Sequence, residues 1–232
     1  MTHVPRADSD PSSYFASDAD NAATPARDGW IPKLIVVVWA LALLGGMGFL
    51  WRYKSTPGTA PSPARVWPES AWLSCRKDRP TLVLFAHPEC PCTTASLHAL
   101  RELLPHYAGR VASYVAVLRP DVTPRGWSDA ELRSELVSMP ETSLLPDPEG
   151  REARLFGAAT SGHVFLYGKD GQLLFSGGIT GARGHEGENP GLTRLRGALD
   201  AELAGEPRAD LARAPVFGCA LFSDGPTHPE EP

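Results

Sequence analysis

The chain is poor in cysteine, methionine and surplus positive charge, with 4 Cys and 3 Met in 232 residues and 22 Lys+Arg against 27 Asp+Glu. Four cysteines are too few for a miniprotein built from disulfides. A net charge of -5 without a basic stripe excludes a general nucleic-acid binder, because neutralising phosphates takes a concentrated cationic face. No internal repeat is present, which excludes solenoids and propellers. The glycines Gly177, Gly178, Gly181, Gly184 and Gly187 fit neither phosphate-loop nor dinucleotide spacing and read as a turn-rich loop. Proline is not scarce, at 23 residues, and points to linkers and turns.

Long apolar runs are also few, and the one that exists is decisive. Leu34 to Trp51 (LIVVVWALALLGGMGFLW) is uncharged and bracketed by Lys33 and Arg52. As a helix it would span about 27 Å, close to the hydrocarbon core of a bilayer. Trp30 and Trp51 stand where an interfacial aromatic belt would lie. Residues 31–53 are therefore expected to form a transmembrane helix, meeting lipid through residues 34–51. The acidic stretch before the run, and the lack of a small-x-small site just after it, favour a retained anchor over a cleaved signal peptide. Residues 1–30, rich in Ser, Asp, Ala and Pro, are expected as a disordered tail. Residues 54–68 read as a Pro/Ser-rich extended linker, 69–223 as the folded domain and 224–232 as a second disordered tail. Flanking positive charge is nearly balanced across the run. The single N-terminal anchor and the cysteine chemistry therefore set the expected placement: a single-pass protein of the bacterial inner membrane with its C-terminal domain in the periplasm.

Within the domain, Thr81 to Phe85 (TLVLF) is a continuous apolar run of the kind found in a strand covered on both faces. It is followed by a turn and then by Leu97, Leu100, Leu103 and Leu104, one helical stripe, with Thr93 and Thr94 near the helix start. Val111 to Leu118 alternates as a strand, Ser128 to Val137 reads as a helix opened by Ser128, and Gly150 to Gly157 as a short helix. Val164 to Tyr167 and Leu173 to Phe175 form a hairpin turned at Lys169-Asp170-Gly171, and Leu192 to Leu203 a last helix. This order specifies an α/β domain.

Cys90 and Cys92 fall at the strand-to-helix turn. A thiol at a helix N-terminus feels the positive end of the macrodipole and unpaired N–H groups, so its thiolate is favoured as nucleophile and as ligand. Pro91 fixes the backbone between the two, and a Cys-Pro-Cys disulfide would be strained and readily exchanged. Cys75 and Cys219 complete the set, and four cysteines allow three complete pairings. One arrangement has Cys90 and Cys92 exchanging, with Cys219 as resolving partner. The other has Cys75 bridged to Cys219 as a structural disulfide.

A strand, a Pro-Cys helix start and the later stretch GREARLFGAATSGHVFLYGKDGQLLFSGGIT resemble the thioredoxin-like superfamily over about residues 75 to 205. The layout, with GARGHEGENPG and the terminal PVFGCALF, resembles RedB-type membrane-anchored bacterial proteins of that superfamily. The resemblance implies a three-layer fold, a central mixed sheet with flanking helices, and thiol-disulfide oxidoreductase chemistry on protein thiols and disulfides with no cofactor. Cys90, Cys92 and Cys219 are the expected catalytic residues. The chain also departs from the pattern. Matching Pro91-Cys92 to the superfamily's Cys-x-x-Cys places its second cysteine on Cys92 and its first on Glu89. The cis-proline that faces the thiols is replaced near Gly162 and His163, and no Thr-x-x-Cys motif of a peroxiredoxin is present.

The copper-delivery (Sco-type) branch of the superfamily uses two cysteines at this turn and a distant histidine. The resemblance to it implies an alternative, a copper or other soft-metal site made by Cys90, Cys92 and His163, with His87 and His185 as further candidates.

Overall fold

The computed structural model describes residues 29–121, 128, 130–137, 139, 141–206 and 210–222. Residues 1–28 of the first expected tail and all of the second, 224–232, lie outside the described residues, while Trp30 of the first is already helical. The chain divides into two compact units, 1–48 and 49–232. Helix α1, Trp30–Ser55, begins one residue before the expected span and ends two beyond it, and none of its residues is buried. By length and composition it is sufficient to cross a membrane.

The second unit is built on a six-stranded mixed sheet ordered β3-β2-β1-β4-β5-β6. The strands are β1 Thr81–Ala86, β2 Ala112–Arg119, β3 Thr142–Pro148, β4 His163–Tyr167, β5 Leu173–Gly178 and β6 Ala212–Arg213. Strands β1, β2 and β3 run parallel, as their helical crossovers require. The hairpin strand β4 lies antiparallel to β1 and β5, and β5 pairs parallel with β6. The helices are α2 Pro91–Leu103, α3 Ala130–Leu136, α4 Arg151–Phe156 and α5 Pro190–Ala204.

Side chains of β1 alternate between two cores, as a pleated central strand must. Leu82, Leu84 and Ala86 join Leu97, Leu100 and Leu103 of α2, Leu132 of α3 and Leu192, Leu195 and Leu199 of α5. Val83 and Phe85 join Phe156 of α4, Phe165 and Tyr167 on the opposite face. The result is three layers in the thioredoxin-like arrangement, β1-α2-β2 followed by the β4-β5 hairpin and α5. Strands β3 and β6 have no counterpart in the sequence reading. The first is interrupted by Pro146 and Pro148 and the second is two residues long, so neither carries an apolar period.

The expected free linker is extended but is bound to the domain. Gly58 N–H donates to the Val216 carbonyl at 2.8 Å, Trp67 N–H to Gly171 at 2.8 Å, and Leu173 N–H to Arg65 at 2.9 Å. The Thr160 hydroxyl donates to Thr59 O and the Tyr167 hydroxyl to Ala64 O. Prolines remove donors from this segment, yet its carbonyls remain available, and the domain supplies the partners.

Candidate functional site

Strand β1 ends at Ala86, and the chain turns through His87-Pro88-Glu89 into α2. Cys90 is the N-cap residue, in extended conformation, and Pro91 takes the first helical position, where a missing N–H costs nothing. No side chain caps this helix end. Of the two threonines expected near the start, Thr93 acts otherwise: its hydroxyl donates to His87 O at 2.8 Å and meets Ser161 Oγ at 2.7 Å. Because the Thr93 proton is committed to His87 O, Ser161 donates to Thr93 while accepting from His87 N–H at 2.9 Å. These bonds fasten the cysteine turn to the segment that leads into β4.

That segment, residues 159–162, brings in the distant thiol. Ser161 N–H donates to Cys219 O at 2.8 Å and Leu221 N–H to Ala159 O at 2.9 Å, with Thr160 and Ala220 forming an antiparallel bridge between them. The C-terminal segment thus lies as a short strand beside residues 159–161. Gly218 permits the approach, since a Cβ there would stand 1.9 Å from the Ser161 carbonyl oxygen. Cys219 Sγ comes to 3.1 Å from Cys90 Sγ, and Cys219 N–H points at the same sulfur at 3.4 Å. All four thiols are free.

The electrostatics of the three thiols follow from this geometry. The Cys92 thiol donates to Cys90, and the Cys219 thiol and N–H add to it; together they outweigh burial and bring Cys90 down to about 4 from the usual 9.0. Cys92 is raised, because its proton is held in the bond to Cys90 and because it is buried, although Gly184 N–H works in the other direction. Cys219 is pushed up to about 11 by burial and by its bond to Cys90, with Arg183 opposing. The arrangement thus favours the thiolate on Cys90 and the protonated form of Cys92 and Cys219 beside it.

Arg183 and Gly184 come from the Gly-rich loop. Arg183 Nη1 donates to Gly218 O, and its buried Nε has no partner among the described residues. Nothing in the local sequence marks Arg183, whose role depends on a chain reversal after β5. Gly162 did leave a trace, since the superfamily pattern has its cis-proline near Gly162 and His163, whereas nothing marked Ser161. The described residues contain no cis peptide, and Gly162 sits there at φ +87, a conformation a side chain would strain.

Cys75 does not join the site. Its sulfur lies 3.8 Å from Arg76 O and 3.9 Å from Gly168 O, at the opposite end of the β1-β4 pair. Thr81 and Phe85 are roughly 13 Å apart on an extended strand, and a disulfide needs Cα atoms within about 7 Å. The Cys75 to Cys219 bridge is thus a correction, as the strand keeps the two apart. The metal set is a second correction. His163 is buried, stacks on Phe165 with ring centroids 4.1 Å apart, and pairs through Nε2 with Ser176 at 2.9 Å. Burial alone brings its pKa down to about 3. Among the described residues no three His, Cys, Asp or Glu side chains converge as ligands, His87 and His185 included.

No family profile matches the chain, and no curated protein matches it. Solved structures do. A conserved uncharacterised protein from Geobacillus kaustophilus, 18% identical, superposes with a TM-score of 0.55 over 74% of this chain and 94% of its own. A hypothetical protein from Sinorhizobium meliloti 1021, 23% identical, gives 0.53 over 73% and 96%. These two likenesses establish the fold. A secreted disulfide oxidoreductase of Mycobacterium tuberculosis, 15% identical, gives 0.39 over 54% and 83%.

Proposed function

We propose that the protein is a membrane-anchored thiol-disulfide redox protein of RedB-type layout, working outside the cytoplasm on protein thiols and disulfides. Cys90 is the thiolate-forming sulfur and Cys219 its exchange partner. Cys92, in the first turn of α2, acts as the hydrogen-bond donor that holds Cys90 ionised, so the Cys-Pro-Cys motif is a nucleophile and its positioning residue. The observation that carries this reading is the 3.1 Å contact between Cys90 and Cys219 around a sulfur whose thiolate is favoured. A covalent S–S bond needs a separation of about 2.05 Å, so a small closure converts the contact into a disulfide with loss of two electrons and the remaining proton. The position of Cys90 as N-cap of α2 supports this reading, because a leaving thiolate is stabilised at a helix N-terminus.

The test is oxidation of the full chain in spheroplasts by glutathione disulfide, which does not cross the membrane, followed by peptide mapping without reductant. The expected product is a Cys90 to Cys219 disulfide that reverts with reduced glutathione. A chain in which Cys90 forms no reversible disulfide overturns the redox reading. Oxidation that occurs only after lysis overturns the placement outside the cytoplasm.

A further inference from the structure

The two sulfurs of the reacting pair are not equally open. Cys90 is 2% exposed, beneath the turn, α2 and the C-terminal segment, while Cys219 is only half-buried and is followed by exposed Ala220. The segment over Cys90 is firmly held. Besides the bonds at Cys219 and Leu221, Ala214 N–H donates to Ser176 O, Gly178 N–H to Pro215 O and Gly58 N–H to Val216 O. Leu221 is itself buried in the α4-side core. A macromolecular partner that had to reach Cys90 would first have to strip this whole strand from the sheet. Cys219 keeps partial exposure with that strand in place.

We propose that the partner's thiol attacks Cys219 and not Cys90, so that the oxidised pair takes electrons from a protein dithiol at the C-terminal sulfur and delivers them to the enclosed one. This rests on the thiol-disulfide reading above. The step balances as follows. The partner's first thiolate bonds to Cys219 Sγ, the Cys90 to Cys219 bond breaks, and its electron pair leaves on Cys90 as a thiolate. That thiolate is received by donors already aimed at it, the Cys92 thiol and the Cys219 N–H. The partner's second thiol, deprotonated by solvent base, attacks the partner sulfur of the mixed disulfide. Its bond to Cys219 breaks, and the Cys219 thiolate takes up a proton. The partner dithiol has lost two electrons and become a disulfide, and the chain has gained them. A well-stabilised leaving thiolate at Cys90 speeds attack at Cys219, whereas attack at Cys90 would expel Cys219, the poorer leaving group. The enclosed thiolate also stabilises the reduced form, which makes the chain an acceptor of electrons from dithiols.

The test traps the first intermediate. The full oxidised chain in detergent is mixed with a reduced thioredoxin in which the resolving cysteine is changed to Ser, quenched in acid, alkylated and mapped without reductant. The expected adduct joins the probe to Cys219, with Cys90 alkylated. An adduct on Cys90, with Cys219 alkylated, overturns the proposal while leaving the redox reading standing. An intact Cys90 to Cys219 disulfide that never reacts overturns both. A companion measurement gives an answer even where adduct is scarce: iodoacetamide labelling of Cys90 in the reduced full chain, folded and in urea, at about pH 10, where the thiol is ionised in both states and only access differs. Enclosure predicts labelling at least about tenfold slower in the folded chain, since reaction then waits on a local opening. Equal rates overturn the proposal.

Discussion

Cys75 and Cys90 stand at the two ends of the same strand, and the residue type behaves oppositely at each. At the amino end of β1, burial raises the Cys75 thiol, with a Thr81 hydrogen bond and Lys77 opposing it only in part. At the carboxyl end, Cys90 is more deeply buried and yet is lowered to about 4, because the side chains and backbone N–H groups of two other residues, Cys92 and Cys219, donate to its sulfur. Burial disfavours a charge in both places, so the difference is made by hydrogen bonds to the charged form. The open end of a parallel strand followed by a helix gathers such donors. The other end, where the chain arrives from an extended segment, offers a single side-chain donor, Thr81, which does not outweigh burial.

The most direct way to break this comparison is to remove each thiol in turn. Cys90→Ser is expected to lower thiol-disulfide exchange by more than about a hundredfold, since the nucleophile acts as a unit with its partners and nothing replaces it. Cys75→Ser is expected to leave the rate within about twofold, because a half-buried position away from the reacting atoms contributes to packing only. The readout is exchange with a fluorogenic glutathione disulfide. Equal losses in the two variants would show that the ends of the strand are not functionally distinct.

Much of this was legible in the residues themselves. The apolar run 81–85, the leucine stripe of α2 and the hairpin turned at Lys169-Asp170-Gly171 each carry a period or turn that only one element fits, and β1, α2, β4 and β5 formed there. The Cys-Pro-Cys helix start was visible for the same reason, as was Cys219 as a candidate third thiol. The choice of Cys219 over Cys92 as the sulfur beside Cys90 was not. It depends on a backbone pairing between residues 159–161 and 219–221, and neither segment has a strand's side-chain pattern. His163 misled because a histidine before a hairpin strand looks like a ligand in one dimension. In the sheet its side chain falls beside Phe165, two residues on and therefore on the same face.

A change of intermediate size sharpens the comparison at the lid. Gly218→Ala would put a methyl group 1.9 Å from Ser161 O, so the segment must lift or the 159–161 strand must yield. Overpacking of this kind costs about 1–3 kcal/mol, which should appear as a lowered Tm. Cys90 should be alkylated several-fold faster in this variant and Cys75 at an unchanged rate. If both thiols gain reactivity equally, the substitution has loosened the whole domain and not the segment over Cys90.

The last expected effect is a pH dependence confined to one end of the strand. Cys90 is depressed in the folded reduced chain, about 4 against an ordinary 9.0, so the folded state binds fewer protons than the unfolded state between those values. Stability of the reduced form should therefore rise with pH from about 4 to 9, and the Cys90 contribution should be fully present above 9 and lost as pH falls through 4. Cys219, raised to about 11, works in the opposite sense, but only once pH exceeds the ordinary 9.0. Denaturant unfolding of the reduced chain beside Cys90→Ser should thus show a gap that widens in favour of the native thiol as pH rises between those limits. Cys75→Ser should show no such slope below 9, because a raised thiol is protonated there in both states. A gap for Cys90→Ser that is flat from pH 4 to 9 would mean that the Cys92 and Cys219 donors do not hold a thiolate, and the contrast between the two ends would reduce to burial alone.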